Sequence, residues 1–149
     1  MSQAAVASPS SLVVSRTYPA SQERVFKAWT DANQLGQWFA PSDDYTTQAT
    51  VDLRVGHEYR IAITHKGGNV HNVVGTYHLI DPPSKLVYTW RWEGAPADTL
   101  VTIDFTPKGE STEVTITHDQ FLDLDTRNKH NDGWSGCLER LGRKLESLN

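Results

Sequence analysis

Two histidines and an arginine late in the chain are the residues with the most chemistry to offer. His118 closes an alternating run, Val114, Ile116, His118, and His130 follows it beyond a short turn. Two imidazoles at one end of a cavity can hydrogen-bond a ligand or pass a proton near neutral pH. Each can equally satisfy a local backbone group, so both readings stay open. Arg127, about one helical turn before His130, presents a fork of donors matched to a carboxylate or phosphate. Asp119, Asp123 and Asp125 are competing partners close in sequence. Trp90, Trp92 and Trp134 are the strongest candidates to line a cavity, with Tyr59 and Tyr77 supplying hydroxyls. Trp38, Phe39, Ile63 and Leu138 complete this set of candidate ligand-binding residues. Aromatic walls with few polar tips suit planar or amphipathic ligands. The same residues also fit a filled core.

Other chemistries find less support. His57, His65, His71 and His78 are spread over two adjacent strand patterns without an HxH or HExxH spacing. His65 and His71 flank Gly67-Gly68, but two ligands do not close a metal site. No metal and no cofactor is expected. There is no GxSxG elbow and no glycine-rich phosphate loop, and Cys137 sits mid-helix beside leucines, where a thiol is usually inert. A net charge of −4 without a basic cluster argues against nucleic acid. No apolar run reaches membrane-span length, and Met1 to Leu12 lacks the charged and apolar regions of a signal peptide. One cysteine rules out an internal disulfide. The expectation is a cytoplasmic protein, monomeric or homodimeric.

Positioning these groups requires a scaffold, and its dominant element is the last quarter of the chain. Trp134, Leu138, Leu141, Leu145 and Leu148 recur at the spacing of an amphipathic helix, and Arg127 and His130 join that stripe. Asp125 is the expected N-cap. About 24 residues at 1.5 Å each make a helix roughly 36 Å long. Such a helix needs a sheet to lie on. Residues 12–18 read as a first strand, Ser21 and Asp31 cap two short helices, and the second ends near Gly36. Six period-two stretches follow, near 46–54, 57–66, 70–80, 85–93, 99–106 and 112–120, separated by turn residues. Short connections make an antiparallel meander the economical topology. Residues 1–11 read as a disordered tail and 12–149 as one α+β domain.

At this point the residues resemble a known family. The segments are PASQERVFKAWTDANQLGQWFAP from Pro19, VDLRVGHEYR from Val51, GTYHLIDPPSKLVYTWRW from Gly75, VTIDFTPKGESTEVTITH from Val101 and HNDGWSGCLERLGRKL from His130. Their order resembles the START-like (Bet v-like, or SRPBCC) superfamily, in the branch of homologues of the activator of heat-shock-protein-90 ATPase. The resemblance implies a helix-grip fold, a seven-stranded antiparallel sheet wrapped around the long C-terminal helix. It also implies a cavity between sheet and helix that accepts apolar or amphipathic small molecules. Fold alone does not decide function. A binding module comes first. An enzyme of cyclase, hydrolase or dehydratase type, using His118 and His130, comes second. A co-chaperone-like protein-binding module, suggested by the branch name, comes third.

Overall fold

The computed structural model describes residues 11–147, so the tail at 1–10 and Leu148 lie outside the described residues. Strand β1 (Leu12–Tyr18) leads into α1 (Gln22–Thr30) and α2 (Ala32–Trp38). Six strands follow: β2 (Tyr45–Val51), β3 (Glu58–His65), β4 (Val70–Asp81), β5 (Lys85–Trp92), β6 (Thr99–Lys108) and β7 (Ser111–Asp119). The last element is α3 (Leu124–Ser147). The seven strands form one antiparallel sheet in the order β1-β7-β6-β5-β4-β3-β2. Strands β2 to β7 are a meander, and β1 adds to its β7 edge. The curled sheet grips α3, the α+β helix-grip architecture that the sequence implies.

The alternation read from sequence decides which face turns inward. Val101, Ile103, Phe105, Val114, Ile116 and His118 are all buried, as are Tyr59, Ile61 and Ile63 on β3. On α3 the buried stripe is Trp134, Cys137, Leu138, Leu141 and Leu145. The Tyr18 hydroxyl donates to the Leu138 carbonyl at 2.6 Å, joining the sheet edge to the helix. Across the other side, Asp43 receives the guanidinium groups of both Arg140 and Arg143.

Three boundaries depart from the sequence reading, each for a local reason. Helix α2 runs through Gly36 to Trp38 instead of stopping at the glycine. A Cβ at Gly36 would stand 3.1 Å from the Thr47 carbonyl, so this glycine serves the close packing of α2 on β2. Strand β2 ends at Val51 because the Arg54 amide turns back onto the Asp52 carbonyl at 2.8 Å. Helix α3 is capped by Asp123, whose carboxylate accepts the Thr126 amide at 2.7 Å. Asp125, the expected cap, lies inside the first turn and pairs with Lys129. Replacing an N-cap carboxylate by alanine costs about 1 kcal/mol. Asp123→Ala should therefore lower stability by about that amount in urea unfolding, and Asp125→Ala by clearly less.

Candidate functional site

A cavity of about 380 Å³ lies between α3 and the inner face of the sheet. Its walls are Phe39 and Pro41 after α2, Ile63 on β3, and Trp90 and Trp92 on β5. From α3 come Thr126, Lys129, His130, Gly133, Trp134 and Cys137. The volume falls in the lower part of the ~300–1,000 Å³ range of small-molecule pockets. A second hollow adjoins it, bordered by Tyr45, His71 and Asp132, and shares Pro41, Ile63, Trp92, Lys129 and Gly133 with it.

Hydrogen bonds behind the wall fix its rings. An indole N–H only donates, so a nitrogen that receives it must carry a lone pair. Trp134 Nε1 donates to His118 Nδ1 at 3.0 Å. Trp90 and Trp92 both donate to His130 Nε2, at 3.3 and 3.0 Å. The protons of the two neutral imidazoles therefore sit on the opposite nitrogens. His118 Nε2–H donates to Thr99 Oγ1 at 2.6 Å, and that hydroxyl donates onward to the Trp90 carbonyl at 2.9 Å. His130 Nδ1–H donates to the Thr126 carbonyl at 2.8 Å. The imidazole centroids are 5.2 Å apart. Burial pushes His118 down to about 2, helped by the neighbouring His130, and burial lowers His130 as well. Both rings are structural neutral bases whose nitrogens are all engaged.

The candidate residues divide between this pocket and its surroundings. Phe39, Ile63, Trp90, Trp92, His130 and Trp134 line the cavity together. His118 stands behind it, fully buried, as the acceptor for Trp134. Trp38 is also fully buried and donates to the Ala28 carbonyl at 2.8 Å, which makes it part of the packed core. Leu138 is buried on the helix stripe without bordering the cavity. Tyr59 and Tyr77 sit with Tyr88 in a nearly filled region between the helices and β3–β5, on the far side of Phe39. Burial raises all three phenols, and Tyr59 donates to the Thr89 carbonyl at 2.6 Å. Arg127 does not border the cavity. Its Nε donates to the Ser11 carbonyl at 2.6 Å and its Nη1 to Asn128 at 2.8 Å.

The site residues expected from sequence leave out Pro41, Thr126, Lys129, Gly133 and Cys137 as lining residues, although Gly133 reads from sequence as a border of the apolar stripe that could admit a ligand. Four of them follow one another at intervals of three, four and four along α3, a row beside the apolar stripe. A wheel that sorts by hydrophobicity sends Lys129 and Thr126 to solvent, yet the helix is wide enough for that row to face the cavity edge. Cys137 is buried and its thiol is pushed up to about 12 by burial, so it lines the wall as a small neutral group. Among the described residues no cluster of histidine, cysteine, aspartate and glutamate could hold a metal ion, and no helix is long and apolar enough to cross a membrane.

Solved structures repeat this architecture. A protein from Chromobacterium violaceum superposes with a TM-score of 0.84 at 26% identity, over 91% of this chain and 96% of that one. An AHSA1 protein from Silicibacter pomeroyi also gives 0.84, at 22% identity, over 93% and 99% of the two chains. An AHSA1-like protein from Aeromonas hydrophila gives 0.74 at 23% identity, over 92% and 94%. No curated protein matches the sequence. A family described as "Activator of Hsp90 ATPase homolog 1-like protein" matches residues 19–146. With that span covered and the SRPBCC helix-grip fold in place, the chain belongs to the AHSA1 family.

Proposed function

We propose that the protein binds an apolar or amphipathic small molecule in the cavity between α3 and the sheet. The observation that carries this reading is the composition of the wall. Phe39, Trp90, Trp92 and Trp134 turn ring surface to a space of about 380 Å³, while the three indole N–H groups are all spent on the His118 and His130 imidazoles. The aromatic part of the wall offers contact area without free polar groups, and polar side chains are confined to the α3 border, which favours an apolar or amphipathic guest over a sugar or nucleotide. Pre-formed hydrogen bonds also hold the rings in place, so a ligand would not have to order them on binding. The AHSA1 fold is compatible with a ligand-binding role.

Catalysis by His118 and His130 is a weaker reading. A general base needs a lone pair within reach of substrate, and the lone pairs of both rings already accept indole protons. A co-chaperone role rests on the family name alone.

Gly133 provides the test. A Cβ at this position meets nothing within 4 Å, and the residue borders both the cavity and its outer hollow. Gly133→Leu should place a side chain in that opening without disturbing the core. A screen of neutral aromatics and short lipids by thermal shift and native mass spectrometry should find binders to the unmodified protein. Gly133→Leu, melting at the same temperature or higher, should bind them at least tenfold more weakly. Failure of every probe to bind, or undiminished binding in Gly133→Leu, counts against this cavity as the site.

A further inference from the structure

We infer that the cavity selects a planar aromatic guest bearing an anionic head, the ring body inside and the head beside Lys129. This rests on the proposed binding role and adds the ligand's charge and orientation to it. Three lining residues have ionisable side chains, Lys129, His130 and Cys137. His130 has both nitrogens engaged as a neutral ring, and the Cys137 thiol is buried and protonated. The one formal charge on the cavity border is the Lys129 ammonium.

Its placement gives that charge a direction. Lys129 and Gly133 are four residues apart on α3, so they are neighbours on one face. Both border the cavity and the outer hollow, and the space over Gly133 is open. A further hollow bordered by Arg91, Asp98 and Asp123 adjoins the cavity at Trp90, Trp92, Thr126 and His130. One route out of the aromatic interior, through the outer hollow, passes beside Lys129. A ring inserted among Phe39, Trp90 and Trp134 leaves any polar substituent at this threshold, because the interior has no unspent donor for it. A carboxylate there meets a positive charge on a solvent-exposed rim.

Two carboxylates work against this attraction. Asp125 pairs with Lys129 at 3.2 Å, with both side chains exposed, and Asp132 borders the outer hollow. An exposed pair of this kind is weak and exchanges readily, so a bound carboxylate competes with Asp125 for the ammonium. Asp132 stands on the outer hollow and does not border the inner cavity, which favours a head held at the threshold over one extending outward.

The test uses two probes of equal size, one anionic and one neutral, 2-naphthaleneacetate and 2-naphthaleneacetamide. Affinities are measured on the full chain by titration calorimetry and quenching of tryptophan fluorescence. The acetate should bind roughly two- to fivefold more tightly than the acetamide, the range expected for a rim charge pair. That preference should shrink as salt rises from about 0.02 to 0.5 M. Lys129→Gln should bring the two affinities together, Lys129→Glu should reverse their order, and Asp125→Asn should widen the gap. Melting temperatures check that each variant is folded. Equal affinities in the unmodified protein, or a preference that survives Lys129→Gln, overturn the inference while leaving the cavity as a site. Binding of neither probe overturns this inference, while failure of the wider screen of aromatics and lipids overturns the binding role itself.

Discussion

Gly136→Ala should destabilise the protein by about 3 kcal/mol, whereas Gly133→Ala, one turn earlier on the same helix, should stabilise it by about 0.5–1 kcal/mol. Alanine is the better helix former at both places, so propensity alone gives both changes the same sign. Packing separates them. A Cβ on Gly136 would lie 2.1 Å from the Pro41 carbonyl oxygen and 2.9 Å from its carbon. Those are backbone atoms that no rotamer change can move aside, so α3 would have to lift from the loop after α2. That movement would also strain the contact of Arg140 Nε with the Trp38 carbonyl, 3.1 Å, just before the loop. Gly133 faces open space. For a chain of this size about 3 kcal/mol corresponds to a fall of roughly 6–12 °C in Tm, and the Gly133 gain to a rise of roughly 1–4 °C. Urea unfolding with an unchanged m-value checks both. Two changes of the same sign would mean that α3 does not rest on Pro41 as described.

The two glycines together shape the pocket mouth. Helix and loop meet at Gly136 and part at Gly133, and Pro41 borders the cavity and the outer hollow between them. Residues that lower helix propensity are thus retained on α3 for opposite reasons, one to bring a neighbour close and one to keep space clear.

Much of this scaffold was legible in the sequence because the strands alternate cleanly. Val101, Ile103 and Phe105 and their counterparts on β7 name the inner face, and short connections leave a meander as the simplest path. The α3 stripe was legible for the same reason. The candidate site was legible only where ring size coincided with inward alternation, as at Trp90 and Trp92. Where a large residue faces inward, periodicity cannot tell whether it borders a cavity or fills a core. Trp38 and Tyr59 illustrate the second outcome, each committing its polar atom to a backbone carbonyl. Gly136 had no reading at all from sequence, since its reason is a carbonyl of a loop almost 100 positions away. Asp125 and Asp123 differ as caps by two residues, set by where α3 begins and not by residue type. The pairing of three tryptophans with two histidines needs the register of β5, β7 and α3 at once, which no local pattern encodes.

That pairing makes stability depend on pH in a window of its own. His118 titrates near 6.5 when unfolded and is pushed down to about 2 when folded, because the charged ring would be buried and its Nδ1 would meet the Trp134 N–H with a second N–H. Between those values the unfolded chain holds more protons than the folded one, so stability rises with pH across the window and falls on acidification. The contribution is complete above pH 6.5 and is lost progressively below it, at about 1.4 kcal/mol per pH unit for one fully excluded proton. His130, also lowered, adds to the slope. The groups packed around His118 offer no compensation: Trp90 from β5, Thr99 from β6, Phe121 from the loop, and His130 and Trp134 from α3. Asp43, Asp52 and Asp123 are held below the ordinary carboxylate value of 3.8 by arginine or amide partners, so their stabilisation is lost only at more acidic pH. From pH 6.5 to 4.5 the imidazoles should therefore dominate, with a loss of roughly 2–3 kcal/mol. Urea unfolding at half-unit pH intervals measures that slope. His118→Asn retains an acceptor for Trp134 and lacks the titrating ring, so it should start from a lower stability and lose much less over the same interval. A flat profile for the unmodified protein, or an unchanged slope in His118→Asn, would show that the buried ring is not what acid attacks first.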